Sequence, residues 1–306
     1  MVLGKPDWTV SGGIKFRNQL LTLNRQHKNY YDTPFNSFST VYDSLFGLKW
    51  NGGRTPSPAD FIDLESLRSL IYSYNAMGVG FNFSFTNLLL KEEDLEDKSC
   101  NEILNWLNET KINGVIVALP LLKNYITKNY PNLKITLSVV CGLNSYEQYN
   151  EACEDEKIQY VVLHPDFNHD YAFLSKLMYP EKIEIMANDR CVYGCPFRKT
   201  HYLDLSQKIL EQSNTPLVRN MRNLDSGKKA TDEEAQCRAV RFGLNRDNRN
   251  LLSFGDLDYL IKNGFHSFKL IGREYSWENY NADVENYLGK YWLRTIVKEV
   301  GQGIHI

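Results

Sequence analysis

The sequence lacks long apolar runs and a strong charge imbalance, and both absences exclude classes of protein. No stretch approaches the roughly 20 apolar residues that span a bilayer, and the longest runs, such as GVIVALPLL, have the length of buried strands. The segment MVLGKPDWTVSGG has no apolar core after its first charges and is therefore unlike a secretory signal. A formal net charge of −2 gives no indication of nucleic-acid binding by bulk electrostatics, although a local basic groove is compatible with it. We expect a cytoplasmic protein without a membrane span.

Several catalytic signatures are also absent. The sequence has no G-x-S-x-G, no H-E-x-x-H and no Ser-His-Asp order, so we do not expect peptidase activity. The glycines of KWNGGRT (49–55) do not form G-x-G-x-x-G, which argues against a dinucleotide site. Radical S-adenosylmethionine enzymes need C-x₃-C-x₂-C, but the third position after Cys191 and Cys195 is Arg198.

Short apolar, β-branched runs alternate with amphipathic stretches along the chain. Residues 57–78, for example, begin with Ser-Pro, carry early acids and end with Gly, which predicts a helix, and 145–157 and 256–264 read the same way. Strands between helices at this spacing predict parallel βαβ units. Eight of them predict a (β/α)₈ TIM-like barrel in one domain over residues 1–306, with a doubly wound open sheet as the alternative. The predicted strands are 38–43, 78–85, 113–119, 134–141, 158–164, 182–188, 250–254 and 267–272.

The least regular part of the chain covers about residues 214–250, after the sixth predicted strand. It is polar, rich in Arg and Asn, and poor in apolar runs. A loop of that length is either disordered or functional, and Cys237 near its end favours function. Its arginines could contact the phosphates of an anionic substrate, including RNA or DNA.

The six cysteines are expected to be reduced, so metal binding or burial must account for them. In NDRCVYGCPFRKTHY, Cys191 and Cys195 follow the sixth predicted strand, at the carboxyl mouth where barrel active sites form. Thiolates at this spacing can reach one soft metal or iron–sulfur cluster. Cys237 could fold back as a third ligand, and Cys141 ends the fourth predicted strand. Free thiols, which the residues alone favour, and structural zinc are the alternatives.

Other polar residues lie at or near predicted strand ends and could line a pocket. Carboxylates, histidine and lysine can move protons, which predicts catalytic roles for His201, Asp43, Asp166 and Lys269. Cations suit a carboxylate or phosphate, which predicts substrate binding by Arg54, Arg198, Lys199 and Arg273. Helix caps, loop hydrogen bonds and a solvated basic loop are the structural alternatives.

One segment carries a family resemblance. LLSFGDLDYLIKNGFHSFKLIGRE resembles the pattern L-S-x-x-D-L followed by G, S, K and G-R in the collagenase-like peptidase family, peptidase family U32. FSTVYDSLFGLKWNGGR resembles the first strand and glycine-rich turn of that family, KIEIMANDRC its strand leading into a cysteine, and QCRAVRF its Cys-Arg element. The order is preserved over most of the chain. The residues matched in the first segment are Leu252, Ser253, Asp256, Leu257, Gly264, Ser267, Lys269, Gly272 and Arg273.

The resemblance implies a (β/α)₈ barrel and, as in several members of the family, a [4Fe–4S] cluster that supports oxygen-independent hydroxylation. The substrate implied is a small aromatic or a nucleobase, and a protein partner is compatible because some members work as pairs. The cluster ligands implied are Cys191, Cys195 and Cys237, with Cys141 as the fourth. Alternatives are a non-catalytic iron–sulfur or zinc scaffold and a metal-free barrel lyase or isomerase.

The sequence departs from the family pattern before the first cysteine, in the spacing to the second cysteine and before the Gly-Arg pair. Asn188, Asp189 and Arg190 replace the usual His-Gly-Ala-Leu before the first cysteine. The second cysteine follows after four residues rather than about seven, and Ile271 stands where the family has Glu. These departures predict a divergent branch of the family.

Overall fold

Eight parallel strands close into a barrel in the order of the chain, which confirms the (β/α)₈ prediction. The computed structural model describes residues 6–30, 38–53, 57, 60–213, 249–291 and 294, so Arg54 and Cys237 lie outside the described residues. The irregular region predicted over 214–250 also lies outside them, except for its last two residues. The strands are β1 Asp7–Ser11, β2 Thr40–Asp43, β3 Gly80–Phe85, β4 Gly114–Val117, β5 Lys134–Leu137, β6 Ile158–Val162, β7 Ile183–Met186 and β8 Ser267–Leu270.

Two of the strand assignments from the sequence need correction. The true first strand, DWTVS of β1, was missed: it is not an apolar run, although its alternation of polar and apolar residues is itself a strand pattern. The strand predicted over 250–254 is wrong: Leu251 makes one isolated antiparallel bridge with Asn188, and Ser253 caps the next helix. The cysteine pair therefore follows β7, the seventh strand rather than the sixth.

Helices follow the strands on the outside of the barrel. Side-chain caps fix the first residues of six of them (α2, α3, α5, α6, α8 and α9 as bounded below), because side-chain oxygens accept from otherwise unpaired amides. Asp63, for example, accepts from the Ser66 amide, so the helix predicted over 57–78 begins only at Leu64. The helices among the described residues are α1 Arg17–Tyr30, α2 Leu64–Ala76, α3 Lys98–Leu107, α4 Pro120–Asn129, α5 Tyr146–Glu154, α6 Tyr171–Leu174, α7 Arg198–Ser213, α8 Phe254–Lys262 and α9 Trp277–Val284. No described helix has the length and apolar character needed to cross a membrane.

Alternation along the strands separates two cores. Phe81, Phe83 and Phe85 of β3 belong to the large buried cluster that also contains helix residues such as Leu67 of α2, so these strand positions face outward. The alternate positions face the barrel interior and carry an unusual number of polar groups, since barrel interiors are commonly filled by Val, Ile and Leu. These inner polar residues are Thr9, Asn82, Thr136, Tyr160, Glu184, Ser267 and Lys269. A second, small apolar cluster lies toward the carboxyl ends of the strands and consists of Tyr42, Ile116, Val162, Met186 and Ile271.

Candidate functional site

A pocket opens at the carboxyl mouth of the barrel, above the polar interior. It contains about 590 Å³ of empty space, part of it open to solvent. All five members of the small apolar cluster line it, together with the hydroxyl-bearing residues Ser84, Thr86 and Ser138. Active sites of TIM barrels form at this end because the eight strand-to-helix loops meet there. The pocket is therefore the candidate functional site.

Three cationic residues from different elements line this pocket. Lys269 lies on β8, Arg273 three residues beyond it, and Arg198 at the first position of α7. Asp189 is the one carboxylate among the described lining residues. Because Arg198, Lys269 and Asp189 are buried, their field on a bound molecule is stronger than it would be at an open surface. The lining thus favours an anion that also has an apolar part.

Lys269 is held inside the barrel by one acidic partner. Its Nζ lies 2.9 Å from Oε2 of Glu184, and the two side chains are 6% and 1% exposed. The Nζ also lies 4.2 Å from the centroid of the Tyr42 ring. Burial lowers the pKa of Lys269, and Arg273 lowers it further, while Glu184 opposes the shift. Lys269 was predicted from the sequence as a pocket residue, whereas Glu184 was missed.

Asp43 holds Arg273 and does not itself line the pocket. Its Oδ2 accepts from the amides of Ile14 (2.9 Å) and Lys15 (3.3 Å), and its Oδ1 accepts from the amide of Ser44 (2.9 Å). Nη1 of Arg273 lies 3.6 Å from Oδ1 of Asp43 and donates to the Ser44 hydroxyl at 2.6 Å. The contacts seen are those of a residue that positions Arg273, and the predicted catalytic role of Asp43 stays a prediction.

Arg198 joins the two loops that follow β6 and β7. Its guanidinium donates to the carbonyl of Val192 at 2.9 Å and lies 3.3 Å from Asp166 and 3.6 Å from Asp189. Burial alone would lower the pKa of Arg198, but the neighbouring Cys191 and the two carboxylates raise it above its usual value. Arg198 therefore stays charged although it is buried.

His164 adjoins this group and was missed in the sequence, although it ends the predicted strand 158–164. Its Nδ1 accepts from the amide of Asp166 at 3.3 Å, and Oδ2 of Asp166 accepts from the amide of Gly194 at 3.0 Å. Burial lowers the pKa of His164, and the positive charge of Arg198 lowers it further, while Asp166 and Asp189 oppose the shift. A neutral imidazole fits the acceptor role of Nδ1.

Cys191 and Cys195 lie in the loop between β7 and α7, and both are half-buried. The Cys191 amide donates to Oδ1 of Asp189 at 3.2 Å, and the Cys195 carbonyl accepts from the Arg198 amide at 3.4 Å. Gly194 between them has a φ of 61°, a left-handed conformation that glycine adopts without strain. The cysteine loop is thus built directly onto two pocket residues.

Cys141 lies in a different loop, in the 3₁₀ turn Val139–Cys141 after β5. Its thiol donates to the Ser138 carbonyl, and burial raises its pKa to about 12. Within the described ranges, no group of three or more His, Cys, Asp or Glu side chains is placed to hold a metal ion. The described residues therefore offer two thiols of one loop and not a complete ligand set for a cluster.

The remaining predicted residues lie away from the pocket. His201 and Lys199 are exposed on α7, and neither lines the pocket, although their neighbour Tyr202 does. Asn168, in the loop after β6, is fully buried and donates to the carbonyls of Met186 (2.9 Å) and Asn250 (2.8 Å), which is a structural role.

Contacts link three residues that depart from the family pattern, namely Asn188, Arg190 and Ile271. Asn188 contacts Ile271, and both Asn188 and Arg190 contact Asp283. Asn188 donates to the Ile271 carbonyl at 2.7 Å and to Asp283 at 2.8 Å, and its Oδ1 accepts from the Ile271 amide at 2.8 Å. Arg190 donates to both oxygens of Asp283, each at 2.6 Å. These contacts join the ends of β7 and β8 to α9. The three departing residues therefore belong to one hydrogen-bonded group.

Comparisons with known proteins agree with the barrel and its family resemblance. No curated protein sequence matches the chain. The solved structure of the U32 peptidase Mk0906 is 13% identical with a TM-score of 0.54, covering 90% of this chain and 96% of that one, which shows a shared fold. The structure of a GH113 β-1,4-mannanase is 12% identical with a TM-score of 0.40, covering 95% and 96%. Residues 44–170, from the turn after β2 to the turn after β6, match the model of peptidase family U32 and support the relationship of this chain to that family.

Proposed function

We propose that the chain is a barrel enzyme that binds a small anionic substrate with a flat apolar part, such as an aromatic acid or a nucleobase phosphate. One observation carries the proposal: Arg198 and Arg273 approach, from after β7 and after β8, a pocket that the small apolar cluster also lines. An anionic group would bind the cations, and a ring would pack on the apolar cluster.

The positions of the two arginines support an anion site. Arg198 follows β7 and Arg273 follows β8, and these are the loops that frequently bind phosphate in TIM barrels. Each guanidinium is oriented by a carboxylate: Asp43 for Arg273, and Asp166 and Asp189 for Arg198. Such fixed donors lose little side-chain entropy when a ligand binds.

The reaction that we propose for this substrate is oxygen-independent hydroxylation, on the strength of the family relationship. A [4Fe–4S] cluster, when bound, would supply the electron transfer. Cys191 and Cys195 would be two of its ligands, with Cys237 and Cys141 as the others. The support from the structure is limited to position: the cysteine pair shares a loop with Asp189 and leads directly into Arg198, and both of these line the pocket.

The binding of 4-hydroxybenzoate and of its neutral amide, 4-hydroxybenzamide, tests the anion site by titration calorimetry. The two probes differ in charge and hardly in shape. We expect the acid to bind at least about tenfold more tightly than the amide, since charge-assisted hydrogen bonds are the stronger kind. Equal affinities, or no binding of either probe, would contradict the proposal.

The same protein provides a test of the peptidase alternative. We expect no cleavage of gelatin or casein, because the residues lining the described pocket are positioned to bind an anion. Hydrolysis that is lost in R198Q but retained in K128Q would instead assign peptide substrates to this pocket. Lys128 is an exposed residue in the last turn of α4, at the opposite end of the barrel, and serves as the control.

A further inference from the structure

A buried amine with an acidic partner lies inside a ligand pocket, and the proposed anion binding does not use its chemistry. We propose that the Lys269 amine forms an imine with the carbonyl group of a small anionic aldehyde or ketone bound in this pocket. The inference rests on the anion site proposed above and is independent of the cluster.

The position of Lys269 is that of an amine reached from the pocket. The residue lies on the inner face of β8 and lines the cavity, while its side chain is only 6% exposed. Catalytic residues of barrel enzymes come from the carboxyl ends of strands, and Lys269 is the next-to-last residue of β8. A carbonyl carbon held in the cavity would therefore meet this amine.

Glu184 supplies a proton acceptor for the amine. Its Oε2 lies 2.9 Å from Nζ of Lys269, and its side chain is almost completely buried. Only the neutral amine attacks a carbonyl, and burial in an apolar site disfavours the charged ammonium. The direction of the Lys269 pKa, which burial and Arg273 lower, agrees with this geometry.

Arg273 defines the anionic end of the substrate. The Lys269 Nζ lies 4.2 Å and the Arg273 guanidinium carbon 5.7 Å from the centroid of the same Tyr42 ring. Two groups on one ring can be bridged by one small molecule, with its carboxylate or phosphate on the arginine and its carbonyl at the lysine. The substrate class is therefore a carbonyl compound that carries an anionic group.

The step is balanced without an oxidant or reductant. The nitrogen lone pair of Lys269 forms a C–N bond, and the C=O π electrons move to oxygen, which takes up a proton to give a carbinolamine. The C–O bond then breaks, water leaves, and the imine carries the former carbonyl carbon. Glu184 is placed to pass two protons in turn from the nitrogen to this oxygen, one to form the carbinolamine and one to release water, so that the lysine ammonium becomes a protonated imine. A protonated imine withdraws electrons and activates the neighbouring carbon.

Reductive trapping tests this assignment in the full-length protein. The protein is incubated with 4-carboxybenzaldehyde and sodium borohydride, and the site of modification is mapped by peptide mass spectrometry. We expect Lys269 to gain the mass of the probe less one oxygen atom. K269R keeps a cation beside Glu184 but has no amine, so it should lose this label, whereas K128R should keep it. If K269R does not fold, the peptide map of the wild-type protein decides alone.

Two further measurements separate the imine from the anion site. The neutral analogue 4-formylbenzamide should label Lys269 more slowly, and 4-hydroxybenzoate should protect it. Binding of 4-hydroxybenzoate with no label on Lys269 would overturn the imine and leave the anion site standing. Equal labelling by the neutral aldehyde, without protection, would support the imine and overturn the anion site. A label spread over surface lysines and unchanged in K269R would overturn the imine.

Discussion

Arg273 and Asp43 form an ion pair that joins the end of β8 to the end of β2 at the mouth of the barrel. Nη1 of Arg273 lies 3.6 Å from Oδ1 of Asp43, and the two side chains are 13% and 4% exposed. Because Asp43 also accepts from three backbone amides, the carboxylate fixes both the turn after β1 and the guanidinium in the pocket.

The substitution D43N tests this arrangement. The amide of Asn keeps one acceptor but presents a donor to the amides of Ile14 and Lys15 and loses the ion pair. We expect a loss of about 3 kcal/mol in the free energy of unfolding, as for other buried charges that lose a partner. Urea denaturation measures it. The control D60N removes a partly exposed carboxylate 3.8 Å from Lys15 and should cost less than about 1 kcal/mol. Equal losses in both variants would contradict the role given to Asp43.

The pair of Lys269 and Glu184 predicts that substitutions of these two residues have strongly non-additive effects on the free energy of unfolding. E184Q leaves the lysine buried without a counter-charge and should lower the free energy of unfolding by about 3–5 kcal/mol. The double variant E184L/K269M replaces the pair with apolar groups and should be more stable than E184Q, because no buried charge is left unpaired. Urea denaturation of E184Q, and of E184L, K269M and E184L/K269M as a cycle, gives the comparison. A double variant that loses the sum of the two single losses would show that the residues do not act as a pair.

His164 predicts a pH dependence of stability. Burial and Arg198 lower the pKa of His164, so the unfolded chain binds a proton at a higher pH than the folded protein does. The free energy of unfolding should therefore fall as the pH is lowered from about 6.5 toward the folded pKa, since protonation favours the unfolded chain. Urea denaturation across this range compares wild type with H164N, which should show a smaller dependence. Asp166 and Asp189, which also face this group, are unchanged in both proteins.

If the stability of H164N depends on pH as strongly as that of wild type, His164 is not the group that titrates.

The cysteine loop predicts that the protein contains iron and that replacing Cys191 or Cys195 lowers the iron content. Protein purified without oxygen should contain iron and acid-labile sulfide, with a broad absorbance that dithionite bleaches. C191S and C195S should lose most of both, while C153A, which changes a buried thiol on α5, should keep them. Stoichiometric zinc without iron would contradict the proposed cluster and favour the zinc scaffold. A metal-free protein that still binds 4-hydroxybenzoate would favour the lyase.

The sequence predicts the fold well because seven strands are apolar runs that a barrel buries on at least one face. DWTVS is not an apolar run, but its alternation of polar and apolar residues is a strand pattern in its own right, and its pairing with β2 and β8 agrees with that pattern. Residues 250–254 have strand composition, but the capping box of Ser253 and Asp256 starts a helix there. The S-x-x-D spacing of this box is a local sequence signal of a helix start, and it outweighs the strand composition here.

The sequence predicts a site residue only where its place in the chain alone puts it at the mouth of the barrel. Lys269, Arg273 and Arg198 were predicted because they lie at strand or loop ends near the mouth. Glu184 was missed because its partner Lys269 lies on the neighbouring strand β8, which only barrel closure brings beside β7. The burial of His164 and its proximity to Arg198 likewise depend on the meeting of the loops after β6 and β7. His201 is exposed because of the position at which the helical turns of α7 place it. Its short sequence distance from Cys195 does not predict that exposure.

The affinity of R273Q for 4-hydroxybenzoate tests the central claim most directly. Titration calorimetry compares wild type, R273Q and K128Q, and circular dichroism establishes that all three are folded. The account predicts that R273Q binds at least about tenfold more weakly, since one charge-assisted contact is removed, and that K128Q binds like wild type. Unchanged affinity in a folded R273Q would contradict an anion site at the mouth of the barrel.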